Sequence, residues 1–159
     1  MGHYKTAAIC KNGHIVTSDI SNGLQSTFCK QCGMEVISQC QNNTCNAAIQ
    51  GKYEVPGVIN LCKRTSPSYC HACGKPYPWT EKKIQAAKML VEDMDELSQE
   101  DKKKLSENID NIITDTPLTE VSANRIKKGL MKVSKETAKA FRDILVSIAS
   151  EVAKKSLGL

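Results

Sequence analysis

Eight thiol and imidazole side chains stand in pairs along the first half of the chain: Cys10 with His14, Cys29 with Cys32, Cys40 with Cys45, and Cys70 with Cys73. A short loop that brings two such groups together supplies half of a tetrahedral coordination shell, so four loops supply the ligands of two metal ions. One shell would hold three thiolates and an imidazole, the other four thiolates. Both suit Zn2+, and two zinc ions are expected. Iron also accepts an all-thiolate site, but the Cys40 to Cys45 spacing is looser than such sites prefer.

The lengths between half-sites bear on which pairs share an ion. The intervals are Ile15 to Phe28, Gly33 to Gln39, and Asn46 to Tyr69. The first and last are long enough to run a strand out and back, whereas the middle one only connects. Sequential pairing is therefore favoured, Cys10, His14, Cys29 and Cys32 at one site and Cys40, Cys45, Cys70 and Cys73 at the other. The interleaved cross-brace of RING-type domains remains the alternative. Gly33 and Gly74 follow the second cysteine of their pairs and Gly13 precedes His14, where a knuckle wants backbone that turns amides toward sulfur. Short strands are expected beside the knuckles, at Thr6 to Ile9, Ile15 to Thr17, Met34 to Ile37 and Val55 to Ile59.

Disulfides are the competing reading of so many cysteines. They go with secretion, and Met1 to Cys10 has neither a charged and then apolar leader nor a small-residue cleavage site. A reducing, cytoplasmic compartment is expected. Cys62 is left over, either a free thiol or a substitute for Cys45. His3 and His71 carry no metal assignment. Two shells filled by four protein ligands each leave no position for water or substrate, so the ions are read as structural. Residues 1–79 bury little core of their own, and metal binding would hold them together.

Composition changes after Trp79, where Lys, Glu, Leu, Ile and Ala take over with helical spacing. The expected architecture is a small metal-bound β domain of two zinc ribbons, residues 1–79, followed by an all-α hairpin or bundle domain of four amphipathic helices, residues 80–159. Thr80 is the expected cap of the first helix, with Trp79 packing on Ile84 as a staple. Ser98 with Asp101 starts the second, Thr116 with Pro117 the third, and Ser134 the fourth. The fourth helix's apolar face would run Phe141, Ile144, Leu145, Ile148 and Val152. No apolar run approaches the length of a membrane span.

Charge is unevenly spread. Residues 1–79 carry seven Lys or Arg against three Asp or Glu, and metal-bound thiolates remove most of that excess. Residues 80–116 carry six basic against ten acidic side chains, and residues 117–159 nine against four. The basic surface thus lies on the last helices.

Nothing in the chain resembles a nucleophile elbow, a phosphate-cradling loop or an open metal site, so no enzyme is expected. The favoured function is a zinc-binding protein-interaction or scaffold module, with an unidentified protein partner or self-association through the C-terminal helices. The runner-up is nucleic-acid binding, because Tyr4, Phe28, Tyr53, Tyr69, Tyr77 and Trp79 lie among basic residues and Arg125, Lys127 and Lys128 offer a second basic surface.

Three segments carry a family resemblance: Cys-Lys-Asn-Gly-His at 10–14, Phe-Cys-Lys-Gln-Cys-Gly at 28–33, and Tyr-Cys-His-Ala-Cys-Gly-Lys-Pro-Tyr-Pro-Trp-Thr-Glu at 69–81. They resemble an uncharacterised bacterial double-zinc-ribbon family, domain of unknown function 2321. The tail with Thr-Asp-Thr-Pro at 114–117 is similar to tails in that family. The resemblance implies the fold and a bacterial origin, and no activity. The third half-site departs from the usual ribbon knuckle: Cys40-Gln-Asn-Asn-Thr-Cys45-Asn is longer and has neither its proline nor its glycine.

Overall fold

Short strands come first, because the ligand loops leave only a few residues between them for pairing. In the computed structural model, which describes residues 1–24, 26–59 and 65–159, five strands form two antiparallel sheets. β1 (His3–Thr6) pairs with β5 (Gln50–Glu54); β2 (Ala8–Cys10) lies between β3 (Ile15–Thr17) and β4 (Val36–Ile37). The run expected as one strand at Thr6 to Ile9 is two, and between them the Ala7 amide donates to Ile49 O at 2.8 Å. Apolar Val55 to Ile59 is not a strand. Pro56 lacks an amide hydrogen and Gly57 takes φ +82°, so a turn closes there, with Val58 N donating to Val55 O.

β2 is buried on both faces and divides two small cores. Ala7 and Ile9 pack with Ile37, Ile49, Tyr77 and Trp79, whereas Ala8 and Cys10 pack with Cys29 and Val36. The alternation is that of any strand, here with an apolar cluster on each side. Gly51 in β5 is required by close approach, since a Cβ there would fall 2.1 Å from the Ser18 carbonyl oxygen.

The chain divides into two compact units, Met1–Glu81 and Lys82–Leu159. Five helices follow the strands among the described residues: α1 (Pro78–Glu92), α2 (Gln99–Ile112), α3 (Thr119–Leu130), α4 (Lys135–Val146) and α5 (Glu151–Leu157). This corrects the expected four. Ser150 caps a separate α5 by accepting from Ala153 N, after a turn at Ser147–Ala149, and Val152 is left on the surface. Ser98 and Ser134 cap α2 and α4 as expected, accepting from Asp101 N and Thr137 N.

Thr80 does not cap α1. The Tyr77 carbonyl accepts from Thr80 N and Glu81 N at 2.9 and 3.0 Å, which puts Pro78 at the first helical position, where its missing N–H is no loss. Trp79 belongs to the apolar cluster of the first unit rather than acting as a staple; Ile84 packs with the helical cluster.

In the second unit, Ala87, Val91, Met94, Leu105, Ile109, Ile112, Ile126, Phe141 and Leu145 form one core. Two of its buried polar groups, Lys102 and Thr119, serve helix ends. Lys102 Nζ donates to Glu92 O at 2.6 Å at the end of α1, which has no basic residue in its last turn. The hydroxyl of fully buried Thr119 accepts from Thr116 N and donates to Thr114 O. No helix among the described residues is long and apolar enough to cross a membrane.

Candidate metal centres

The eight ligand candidates gather into two clusters, Cys10, His14, Cys29 and Cys32, and Cys40, Cys45, Cys70 and Cys73, with the ligand atoms of each within 4.8 Å of one another. The grouping is the sequential one. The interleaved arrangement is absent: Ile9 pairs with Ile37, which sets the second half-site beside the first, and Cys45 Sγ meets Cys70 Sγ at 3.8 Å across the longest interval. His3 and His71 join neither cluster and are exposed. Cys62 lies outside the described residues.

Whether a tetrahedral ion fits can be judged from the edges. Metal–sulfur bonds of about 2.3 Å imply S–S edges of about 3.8 Å, and a bond to nitrogen of about 2.0 Å implies N–S edges of about 3.5 Å. In the second cluster Cys40 Sγ to Cys73 Sγ is 3.7 Å and Cys45 Sγ to Cys70 Sγ is 3.8 Å. In the first, Cys10 Sγ to Cys32 Sγ is 3.7 Å, and His14 Nδ1 lies 3.5, 3.7 and 3.3 Å from the sulfurs of Cys10, Cys29 and Cys32. A disulfide would need about 2.0 Å. The donors therefore fit a four-coordinate ion at each site.

Three of the four half-sites share one backbone frame. The residue before the first cysteine bridges the residue three beyond the second: Phe28 with Glu35, Gln39 with Ala48, Tyr69 with Pro76. The residue directly after the second cysteine is left-handed each time, Gly33 and Gly74 at φ +70° and Asn46 at φ +50°. Asparagine is among the few side chains that tolerate this conformation, so it replaces the glycine missing from the third half-site. The two extra residues are absorbed by starting the turn later. Gly33 and Gly74 donate to the carbonyls of Cys29 and Cys70, whereas Asn46 donates to that of Asn42.

This frame aims amides at sulfur. Backbone N–H groups of Asn12, Met34, Asn42, Ala47, Ala72 and Lys75 each donate to the cysteine two residues before them. The Met34 amide is the chief reason Cys32 is held at about 6. Burial pushes Cys70 upward, but amides of Cys73 and Ala72 with the neighbouring thiols outweigh it and hold it at about 6. Burial dominates at Cys40, which is pushed up to about 12. Each cluster thus holds a thiol drawn toward its thiolate, Cys32 in the first and Cys70, with Cys73 also lowered, in the second, and an arriving cation must displace protons from Cys10 and Cys40, which burial holds up.

A family model described as an uncharacterized protein conserved in bacteria (DUF2321) matches residues 3–157. The chain belongs to this family. No curated protein and no solved structure matches it. The match spans both compact units of this DUF2321 chain, the helical one as well as the one that holds the clusters.

Sequence reasoning took Tyr77 only as a base-stacking candidate; it is buried beside the second cluster and hydrogen-bonds Cys70, and burial first, then the charge of Cys70, pushes its phenol far up. Its ring stacks on Trp79 at a centroid distance of 4.8 Å. Trp79 Nε1 in turn donates to Pro67 O at 2.8 Å, and the Trp79 side chain lies against Gly13 of the first knuckle. The only signal in the sequence was the pair of prolines that spaces these aromatics after Cys73.

Proposed function

We propose that this protein is a non-enzymatic interaction module of the bacterial cytoplasm, built on two structural Zn2+ ions. One observation carries the reading: each cluster presents four protein donors at the edge lengths of a closed tetrahedron, which leaves no coordination position for substrate. His14 in the first shell favours zinc over iron. When bound, zinc would supply no chemistry beyond holding the knuckles. Cys10, Cys29, Cys40 and Cys70 bury their sulfurs in the small cores, so the shells and the cores would form together.

Metal analysis of protein purified without added zinc tests this reading. Two zinc ions per chain are expected, and Cys32→Ser or Cys73→Ser should each remove about one. Unchanged content in either variant would overturn the site assignment.

Nucleic-acid binding is the second reading, favoured by Phe28, 61% exposed at the entry to a knuckle that also carries exposed Lys30, and by the exposed Tyr4 and Tyr53 pair. Burial of Tyr77 and Trp79 removes two of the aromatics that would stack on bases. Fluorescence anisotropy with labelled DNA and RNA decides between the readings. Salt-sensitive binding that Phe28→Ala and Lys30→Ala weaken would establish the second.

A further inference from the structure

Seven large apolar side chains are exposed on the helical unit, among them Met131 at 82%, Val146 at 48% and Leu159 at 37%. Isolated exposures of this kind are ordinary, but these three surround one groove. The groove has a volume of about 800 Å³ and lies over Leu130, Val133 and Ala138. Along it runs a stripe of α4, Lys135, Lys139 and Arg142, spaced at the four- and three-residue steps that keep side chains on one face. None of these three cations has an ion-pair partner among the described residues, although seven lysine–carboxylate pairs form elsewhere among them. Asp143 is the one acidic side chain of the groove's lining.

We propose that this groove is the docking site for an acidic amphipathic helix of a partner protein. The inference rests on the interaction reading above and gives that reading's partner its chemistry. An apolar floor with a row of unneutralised cations asks for an apolar ridge flanked by carboxylates, and a helix laid in a groove provides both. Concavity selects a ridge rather than a flat membrane surface. The chain's own acidic stretch, Glu92 to Asp101, cannot serve from a second copy, because its apolar residues Met94 and Leu97 are already buried in the helical core.

The test uses the full-length, zinc-loaded protein and two labelled helical peptides of about eighteen residues, the length of about five turns. Both carry leucine at the positions of one face; one carries glutamate elsewhere and the other lysine. Anisotropy should show micromolar binding of the acidic peptide, weakened by salt, and at least tenfold weaker binding of the basic one. Lys139→Glu with Arg142→Glu should weaken the acidic peptide about tenfold, and so should Met131→Asp, with the helical circular dichroism unchanged.

Equal binding of both peptides, binding indifferent to these variants, or no binding at low salt would overturn the proposal. So would phosphatidylserine vesicles that bind the wild type, but not the variants, while the acidic peptide does not bind. Zinc content measured on the same samples separates this outcome from failure of the metal assignment: two ions with no peptide binding would reject the groove and leave the metal centres standing.

Discussion

Adjacent in β2, Ile9 and Cys10 face opposite ways, Ile9 into the cluster that contains Cys40 and Cys70, Cys10 into the one that contains Cys29. Both are buried, at 1% and 0% exposure. One strand therefore contributes a ligand to the first centre and core to the second. Ile9→Ala should cost about 2–4 kcal/mol, the range for truncating a buried aliphatic side chain, and should loosen the four-thiolate centre while Cys10 keeps its place. Cadmium-loaded protein resolves an all-sulfur site from one with a nitrogen ligand by NMR. The all-sulfur resonance should broaden or shift most; a change confined to the other would refute the division of faces.

Asn46 offers a sharper test, because its left-handed backbone is what replaces glycine in the third knuckle. Asn46→Gly should leave zinc affinity and thermal midpoint unchanged or slightly raised. Asn46→Val, β-branched at positive φ, should cost at least about 1–2 kcal/mol. Equal behaviour of the two variants would show that the conformation at this position does not matter to the knuckle.

These residues also mark what could be read from sequence. Ligand grouping was legible because interval length limits where a hairpin can close, and Gly33 and Gly74 announced their conformation. The third knuckle was harder, since Asn46 does the same work with a residue common in any loop. β5 was not legible: Gln50–Glu54 shows no apolar alternation, and its pairing with β1 at the start of the chain is long-range. The break between α4 and α5 was hidden because serine is tolerated within helices, so Ser147 and Ser150 read as surface positions of one longer helix.

Tyr77→Phe removes the hydroxyl that hydrogen-bonds Cys70 and keeps the ring that stacks on Trp79. Groups that hydrogen-bond a metal ligand commonly change affinity about 10–100-fold. Zinc should leave one site of this variant at a correspondingly lower concentration of competing chelator, with Trp79 emission unaltered until the metal leaves. Coincident release curves for variant and wild type would remove Tyr77 from the centre.

Chelation should act on the two compact units differently. Trp79 is the chain's one tryptophan and is 3% exposed in the apolar cluster beside the second centre. Excess chelator should shift its emission to the red as that cluster opens. Most of the helical circular dichroism should persist, since the second unit's core contains no ligand residue. Parallel loss of both signals would mean that the helices depend on the metal.

Lys102 gives a variant whose effect should fall on the helices alone. Its ammonium is buried at the end of α1 on the carbonyl of Glu92, where the helix dipole favours a cation and α1 supplies none of its own. Methionine keeps the apolar stem and removes the charge and the donor, leaving that carbonyl without the bond. Lys102→Met should lower the urea stability of the helical signal by about 1–2 kcal/mol, the range for a partly buried cation at a helix C-terminus. Zinc content and Trp79 emission should stay at wild-type values. An unchanged midpoint would mean that removing a buried charge offsets the lost hydrogen bond, and a raised one that burying the ammonium costs more than the bond returns.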